Sequence, residues 1–209
     1  CSQILALIRD RILASEFGAG NVLDIYYSAF RIPDIIFVTV ASIVSVSVLI
    51  PFLMERLEKG ESEAKEFIDT VFSFYFIFVI TVGLIAFIFT PFLMAKLFPL
   101  FKGTESFSEL VKLTRILLLS PVFLGFSNLL ASITQISKRF FLYAISPVMY
   151  NIGIIFGIKF LYPIYGLSGL GYGVILGTIL HFSIQIPFIM GQGMFPRFRF
   201  PIKFDFIKK

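Results

Sequence analysis

The feature that most constrains this chain is the length of its uncharged stretches. Five runs contain no Asp, Glu, Lys or Arg, and they cover residues 35–54, 70–95, 116–137, 140–158 and 160–196. A helix needs about 20 apolar residues to cross the roughly 30 Å hydrocarbon core of a bilayer. Each run is long enough for that, and the last one holds a single helix preceded by a turn at 162–166. The sequence therefore predicts five complete membrane spans.

Composition excludes several other classes of protein. Hydrophobic residues make up 57% of the 209 residues and charged residues 15%, whereas a soluble domain carries about 45–50% apolar and about 25% charged residues. A soluble enzyme is therefore excluded. One cysteine and one histidine cannot form an intrachain disulfide or a zinc site, which takes about four such ligands. The net charge of +5 is scattered between apolar runs, which indicates membrane lipids and no nucleic acid as partners.

The two ends of the chain suggest a piece of a larger protein. Eight uncharged residues precede Arg9, too few for a span or for the core of a signal peptide with its basic flank. We expect Cys1 to lie within a truncated first span, which gives an all-α membrane bundle of six helices. The predicted helices cover residues 1–16, 22–58, 66–98, 107–137, 139–161 and 167–194. Residues 195–209 are expected to begin a basic amphipathic connection to a missing second lobe.

Two further patterns bear on this topology. Residues 44–48 alternate with period two, as a half-buried strand does, but a lone strand cannot satisfy its backbone hydrogen bonds in lipid. We therefore expect a helix there. Lys and Arg are slightly more numerous on the side of the 55–66 loop, so the positive-inside rule places that side in the cytoplasm.

Charged residues near the spans are the strongest functional signal, because a charge at mid-membrane costs at least about 2.5–3.5 kcal/mol. Asp24, Tyr27, Arg31 and Asp34 fall at i, i+3, i+7 and i+10 and share one helical face. Pro33 is expected to bend the helix there. The residues predicted to line a substrate cavity are Arg9, Asp10, Asp24, Arg31, Asn128 and Asn151.

Two interpretations of this polar face stay open. In one, it is the wall of a central cavity in which arginine binds an anionic headgroup, since guanidinium matches phosphate bidentately. In the other, Arg and Asp sit at headgroup depth as an interfacial anchor and pair locally. Amides such as Asn128, Gln135 and Asn151 either bond between helices or contact the ligand.

The sixth predicted span carries a ridge of small residues. Gly169, Gly173 and Gly177 recur every four residues, which predicts close helix packing. His181 and Gln185 continue the ridge, and His181 is either hydrogen-bonded within the bundle or a proton relay.

Nothing in the sequence indicates an enzyme. No nucleophile with a base stands out, and Phe17-Gly18-Ala19-Gly20 lacks the preceding strand and the Lys-Ser/Thr ending of a nucleotide loop. We interpret it as a turn in which glycine supplies a positive φ. Transport without a metal ion or cofactor is therefore the leading function.

Several short motifs resemble, in order and spacing, those of the MurJ (MviN) lipid II flippases, a family of the multidrug/oligosaccharidyl-lipid/polysaccharide exporter superfamily. They are Arg9-Asp10, Phe17-Gly18-Ala19-Gly20, Asp24, Ala29-Phe30-Arg31-Ile32-Pro33, Pro51, Lys138-Arg139-Phe140, Pro147-Val148-Met149-Tyr150-Asn151 and the glycine-rich start of the sixth span.

This resemblance implies the N-terminal lobe of a two-lobed transporter in the bacterial cytoplasmic membrane. The family's substrate is a polyprenyl-pyrophosphate-linked saccharide, the peptidoglycan precursor lipid II, moved by alternating access around a cationic cavity as part of cell-wall biogenesis and the maintenance of cell shape. Arg9 matches a first-helix arginine of that cavity, and Asp24 matches an acidic residue at the start of the second helix.

The chain also departs from the family pattern. Gln3 and Phe37 stand where many members have arginine, and Ser42-Ile43 replaces a Glu-Gly pair. Two alternatives to lipid II transport therefore remain: an exporter of another polyprenyl-linked glycan or of a drug, and a non-transporting membrane scaffold with a degraded cavity.

Overall fold

The computed structural model describes residues 2–41 and 46–200. Within these ranges every regular element is helical, which confirms the all-α prediction. The helices are α1 Ser2–Phe17, α2 Asn21–Ala29, α3 Arg31–Ala41, α4 Val46–Lys59, α5 Glu61–Leu97, α6 Glu105–Leu117, α7 Ser120–Ile136, α8 Phe140–Phe156, α9 Tyr162–Tyr165, α10 Leu167–Ser183 and α11 Ile186–Gly191. A 3₁₀ turn at Pro99–Phe101 follows α5, and a π-helical segment at Gly157–Leu161 joins α8 to α9.

Four helical stretches in the described ranges are long and apolar enough to cross a membrane. They are Glu61–Leu97, Glu105–Ile136, Phe140–Tyr165 and Leu167–Gly191, and they coincide with the third to sixth predicted spans. The chain is therefore a multi-pass membrane protein. The second predicted span includes residues 42–45, which lie outside the described residues together with Ser42-Ile43 and part of the alternating 44–48 segment. The count of six helices stays a prediction.

The second predicted helix is interrupted at Phe30, which separates α2 from α3. Pro33 has no N–H to donate to the carbonyl of Ala29, four residues earlier, and α2 ends at Ala29. The backbone hydrogen bond from Asp34 to the Phe30 carbonyl, 2.8 Å long, begins the next turn. Pro33 thus lies just after a helix boundary, where the sequence predicted a bend within one continuous helix.

The closest helix packing joins α8 and its π-helical extension to α10 through glycine. A Cβ atom on Gly173 would lie 2.4 Å from the Cα of Gly157, and one on Gly153 would lie 2.3 Å from the Cα of Gly177. The close packing predicted for the glycine ridge is therefore confirmed. The facing pair, Gly153 and Gly157, also has a four-residue spacing that sequence analysis overlooked.

Ser127, His181 and Gln185 form a hydrogen-bonded cluster inside the bundle, in which the buried Oε1 atom of Gln185 has no partner among the described residues. Ser127 Oγ lies 2.6 Å from Nδ1 of His181 and accepts a 2.6 Å hydrogen bond from Nε2 of Gln185. Of the two interpretations of His181, this contact supports hydrogen bonding within the bundle. This cluster links α7 to the end of α10.

The predicted turn at 17–20 is present, whereas the predicted turn at 162–166 is helical over Tyr162–Tyr165 and breaks only at Gly166. Gly18 follows α1 with φ of +61°, and Gly166 precedes α10 with φ of +57°. Only glycine adopts this region without steric cost.

After α11 the chain returns along the start of α5. The backbone N–H of Arg197 donates to Oδ1 of Asp69 at 2.8 Å, and that of Arg199 donates to Oγ of Ser73 at 2.8 Å. The Arg199 guanidinium also pairs with Glu66 at 3.2 Å. The first part of the predicted 195–209 connection is therefore attached to the membrane bundle, and residues 201–209 lie outside the described residues.

The glycine contact predicts opposite effects for one substitution at two positions. Gly173→Ala should lower the midpoint of thermal unfolding of the detergent-solubilised protein, because overpacking costs about 1–3 kcal/mol. Gly83→Ala, on α5 where an added Cβ would meet nothing within 4 Å, should leave the midpoint unchanged or raise it, because alanine is the better helix former. Equal shifts at both positions would contradict the packing described above.

Candidate functional site

The candidate site is centred on Arg9, near the middle of α1. Nη1 of Arg9 donates a 3.0 Å hydrogen bond to Oδ1 of Asn151 on α8. Nε and Nη2 lie 2.8 Å and 2.7 Å from a single oxygen, Oδ1 of Asp10. The Arg9 side chain is 22% exposed and that of Asp10 is 50% exposed. The guanidinium is thus held by a neutral amide on one side and by a carboxylate on the other.

Asn151 is oriented by its own helix. Its Nδ2 donates to the carbonyl of Pro147, one turn earlier, at 2.8 Å, so that Oδ1 is directed toward Arg9. Asn151 is buried. The amide therefore fixes the guanidinium between α1 and α8 without cancelling its charge.

A cavity of about 210 Å³ adjoins this arginine. Its lining combines one guanidinium, two carboxylates and three phenols with apolar side chains. These residues are Arg9, Asp10, Leu13, Tyr26, Tyr27, Phe30, Asp34, Tyr150 and Ile154. With ionised side chains, this part of the wall carries one positive and two negative charges, so it is not cationic by itself.

All four residues of the polar face predicted on the second helix are exposed. Asp24, Tyr27, Arg31 and Asp34 share this exposure although the helix is interrupted at Phe30. Of these four, only Tyr27 and Asp34 reach the Arg9 cavity.

Arg31 borders a second cavity of about 470 Å³, together with Tyr27, Ser28, Leu97 and Phe98. Tyr27 lines both cavities, so the two are neighbours. A ligand that extends past Tyr27 would meet both Arg9 and Arg31.

Two predicted cavity residues are not brought to Arg9. Asp24 lies in the first turn of α2, exposed, where a negative charge is stabilised by the helix dipole. Asn128 is half-buried on α7 and does not line the Arg9 cavity. Their predicted role as ligands to the substrate is not supported by contacts with the other candidates.

The two positions where many family members have arginine bring no charge to the Arg9 cavity in this chain. Gln3 is exposed on α1, and Phe37 is half-buried on α3.

Within the described residues, no group of three or more His, Cys, Asp or Glu side chains is arranged to hold a metal ion.

Two aromatic residues of the cavity wall, Tyr26 and Tyr150, were not predicted from the sequence. Tyr26 packs edge-to-face against Phe30, with ring centroids 5.0 Å apart, and Tyr150 comes from α8. Each tyrosine is next to a residue that the sequence did single out, Tyr27 and Asn151. Their position in the sequence could therefore have indicated both tyrosines. Which of two adjacent residues faces the cavity, however, depends on how each helix is rotated about its axis.

Comparisons with known proteins place this geometry in a family. The family model described as lipid II flippase MurJ matches residues 13–209. A lipid II flippase MurJ of Burkholderia cenocepacia is 28% identical over 204 residues, which cover 93% of this chain and 39% of that protein. A probable lipid II flippase MurJ of Haemophilus influenzae is 31% identical over 208 residues, which cover 92% of this chain and 40% of that protein.

A solved structure is similar as well. Lipid II flippase MurJ in an inward closed conformation matches with a TM-score of 0.78 and 27% identity, over 96% of this chain and 42% of that one. The chain spans about 40% of the length of the curated relatives it matches. Because the family model covers nearly all of the sequence and the helical bundle matches a solved member, the chain belongs to the lipid II flippase MurJ family.

Proposed function

We propose that this chain is the N-terminal lobe of a lipid II flippase of the bacterial cytoplasmic membrane. The proposal is carried by one observation, the Arg9 guanidinium held at the wall of a cavity inside a membrane bundle. Membership in the MurJ family supplies the substrate class, a saccharide linked to a polyprenyl pyrophosphate. A second lobe of the same full-length chain provides the other wall of the cavity.

The chemistry of Arg9 suits this substrate. A guanidinium donates two parallel hydrogen bonds to a phosphate and stays charged at any physiological pH. Its Nη1 is already held by Asn151, which leaves the edge formed by Nε and Nη2 for a ligand. That edge is occupied by Oδ1 of Asp10, so the substrate phosphate must replace this carboxylate.

Asp10 therefore acts as an internal competitor. In the empty cavity it compensates the arginine, whose charge is expensive within a membrane. When the pyrophosphate binds, the half-exposed Asp10 turns toward water. When the lobes rock to release the substrate, the carboxylate returns, which keeps binding reversible.

The remaining parts of the lobe fit this cycle. Arg31 is one cavity away, beyond Tyr27, and supplies a second cation for the pyrophosphate. The connection after α11, attached to α5 by Asp69 and Ser73, leads to the second lobe. No covalent bond is made or broken, so the protein is a transporter and not an enzyme, and it needs no cofactor.

Neutralising Arg9 should abolish function. The full-length gene with Arg9→Ala should fail to rescue cells depleted of their flippase, and its affinity for lipid II should fall by about 10- to 100-fold, the value of a charge-assisted hydrogen bond. Rescue and native mass spectrometry of the purified protein measure the two effects. Arg11→Ala is the matched control, because Arg11 is exposed on the same helix, and it should behave as wild type.

The outcome also separates a transporter from a scaffold. Normal rescue by Arg9→Ala at normal membrane levels would contradict the proposed function and favour a non-transporting scaffold.

Removing the charge of Asp10 should change substrate binding and transport in opposite directions. Asp10→Asn weakens the contact on the Nε and Nη2 edge of Arg9, so lipid II should bind several-fold more tightly than to wild type. Release should slow, and flux into the outer leaflet of reconstituted vesicles should fall. If Asp10→Asn weakens binding instead, Asp10 positions the arginine and does not compete with the substrate.

One observation favours a second candidate, an exporter of cationic drugs. Two carboxylates and one guanidinium line the described part of the cavity, a balance that suits a cation. Efflux of a cationic dye from cells expressing the full-length protein tests this, and Asp34→Asn should reduce that efflux. Dye efflux without rescue of flippase-depleted cells would favour the drug exporter.

A further inference from the structure

An open groove lies between the C-terminal half of α5 and α6, apart from the Arg9 cavity. Its volume is about 760 Å³, within the range of about 300–1,000 Å³ typical of ligand pockets. Phe87 and Pro91 of α5 form one wall, Lys112 and Arg115 of α6 form the other, and Tyr172 of α10 also contributes. None of its lining residues belongs to α1, α2, α3 or α8.

Arg115 is fixed in this groove by a defect in α5. Pro91 has no N–H, so the carbonyl of Phe87, four residues earlier, lacks its helical donor. Nε of Arg115 donates to that carbonyl at 3.2 Å. The guanidinium carbon also lies 4.7 Å from the centroid of the Phe87 ring, a cation–π contact. The hydrogen bond at Nε and the contact with the ring therefore hold the Arg115 guanidinium at the wall of the groove.

The two cations of the groove are not neutralised. Within the part of the chain that the structure describes, no carboxylate forms an ion pair with Lys112 or Arg115. The rest of the lining is mainly apolar. Two unpaired positive charges beside apolar walls call for a ligand that is both anionic and apolar.

The depth of the groove in the membrane agrees with such a ligand. The uncharged part of α5 begins at Thr70, and about 20 residues cross the hydrocarbon core. The core then ends close to Pro91, so that Phe87 and Pro91 lie at the boundary with the headgroups. Leu84, 59% exposed, continues the wall toward the middle of the membrane, and Ile88, 66% exposed, lies beside Phe87. Both side chains suit an acyl chain.

We propose that this groove is a binding site for an anionic phospholipid. The phosphate contacts the terminal amino groups of Arg115 and the ammonium of Lys112, and an acyl chain lies along the exposed face of α5. Because Arg115 is attached to the Phe87 carbonyl, it stays at the groove wall and does not extend freely into the headgroup region. The proposal does not depend on which substrate the transporter carries.

Lipid binding to the full-length protein tests the site. The purified protein in detergent is titrated with dioleoylphosphatidylglycerol and, separately, with dioleoylphosphatidylcholine, and bound lipids are counted by native mass spectrometry. Wild type should bind the anionic lipid in preference to the zwitterionic one. Lys112→Gln should weaken phosphatidylglycerol binding by about fivefold, the contribution of one cation near a membrane surface, with little effect on phosphatidylcholine.

Three variants control the result. Lys102→Gln removes an exposed cation from the loop at the same end of the bundle and should leave the preference intact. Arg9→Ala should also leave it intact, which separates this site from the proposed substrate cavity. Arg115→Lys keeps the charge and should retain part of the preference. Thermal unfolding of each variant in detergent identifies any that fail to fold.

The proposal is overturned if folded Lys112→Gln binds both lipids as wild type does, or if Lys102→Gln causes the same loss. A dimer that Lys112→Gln dissociates, in place of a lipid adduct, would assign the groove to a second copy of the chain and would also overturn it.

Discussion

A bilayer offers no water to a backbone carbonyl or to a charge, so each polar group within the spans needs a partner from the protein. This constraint accounts for the polar contacts of the bundle. The hydroxyl of Thr90 donates to the carbonyl of Ala86, and that of Thr114 donates to the carbonyl of Leu110. The carbonyl that Pro91 leaves without a donor is satisfied by Arg115. The same requirement holds Arg9 between Asn151 and Asp10.

The geometry of the candidate site depends on how closely α8 and α10 approach each other at their glycines. The glycine contacts between α8 and α10 leave no space for a Cβ atom, and they set the position of α8. Because Tyr150 and Asn151 lie on α8, within one turn of Gly153, the packing at the glycines also determines where these two side chains meet α1. A stable glycine contact and a correctly placed arginine are therefore linked.

The charge of the Arg9 cavity differs from the charge that the family resemblance predicts. A cationic wall is expected, yet the described lining holds more carboxylates than guanidinium groups, and neither Gln3 nor Phe37 supplies a cation. The cations that the described residues offer to an anion here are Arg9 and, beyond Tyr27, Arg31. One cation in direct competition with a carboxylate favours weak, reversible binding of an anion.

The hydrophobic pattern and the residue spacing were sufficient to predict the long spans, the glycine contact and three residues of the candidate site. The four long spans follow from uncharged runs because lipid demands them, and the glycine ridge follows from its four-residue period. Arg9, Asp10 and Asn151 were identified because polar residues are costly in spans. These inferences are local, since each depends on residues within a few turns of one helix.

The tertiary structure decided which of the polar residues meet. It brought Tyr26, Asp34 and Tyr150 to Arg9, left Asp24 and Asn128 away from it, and tied Arg115 to a carbonyl on another helix. Such contacts depend on the rotation and separation of neighbouring helices. Those are determined by packing along the whole interface, and one helix's sequence does not specify them.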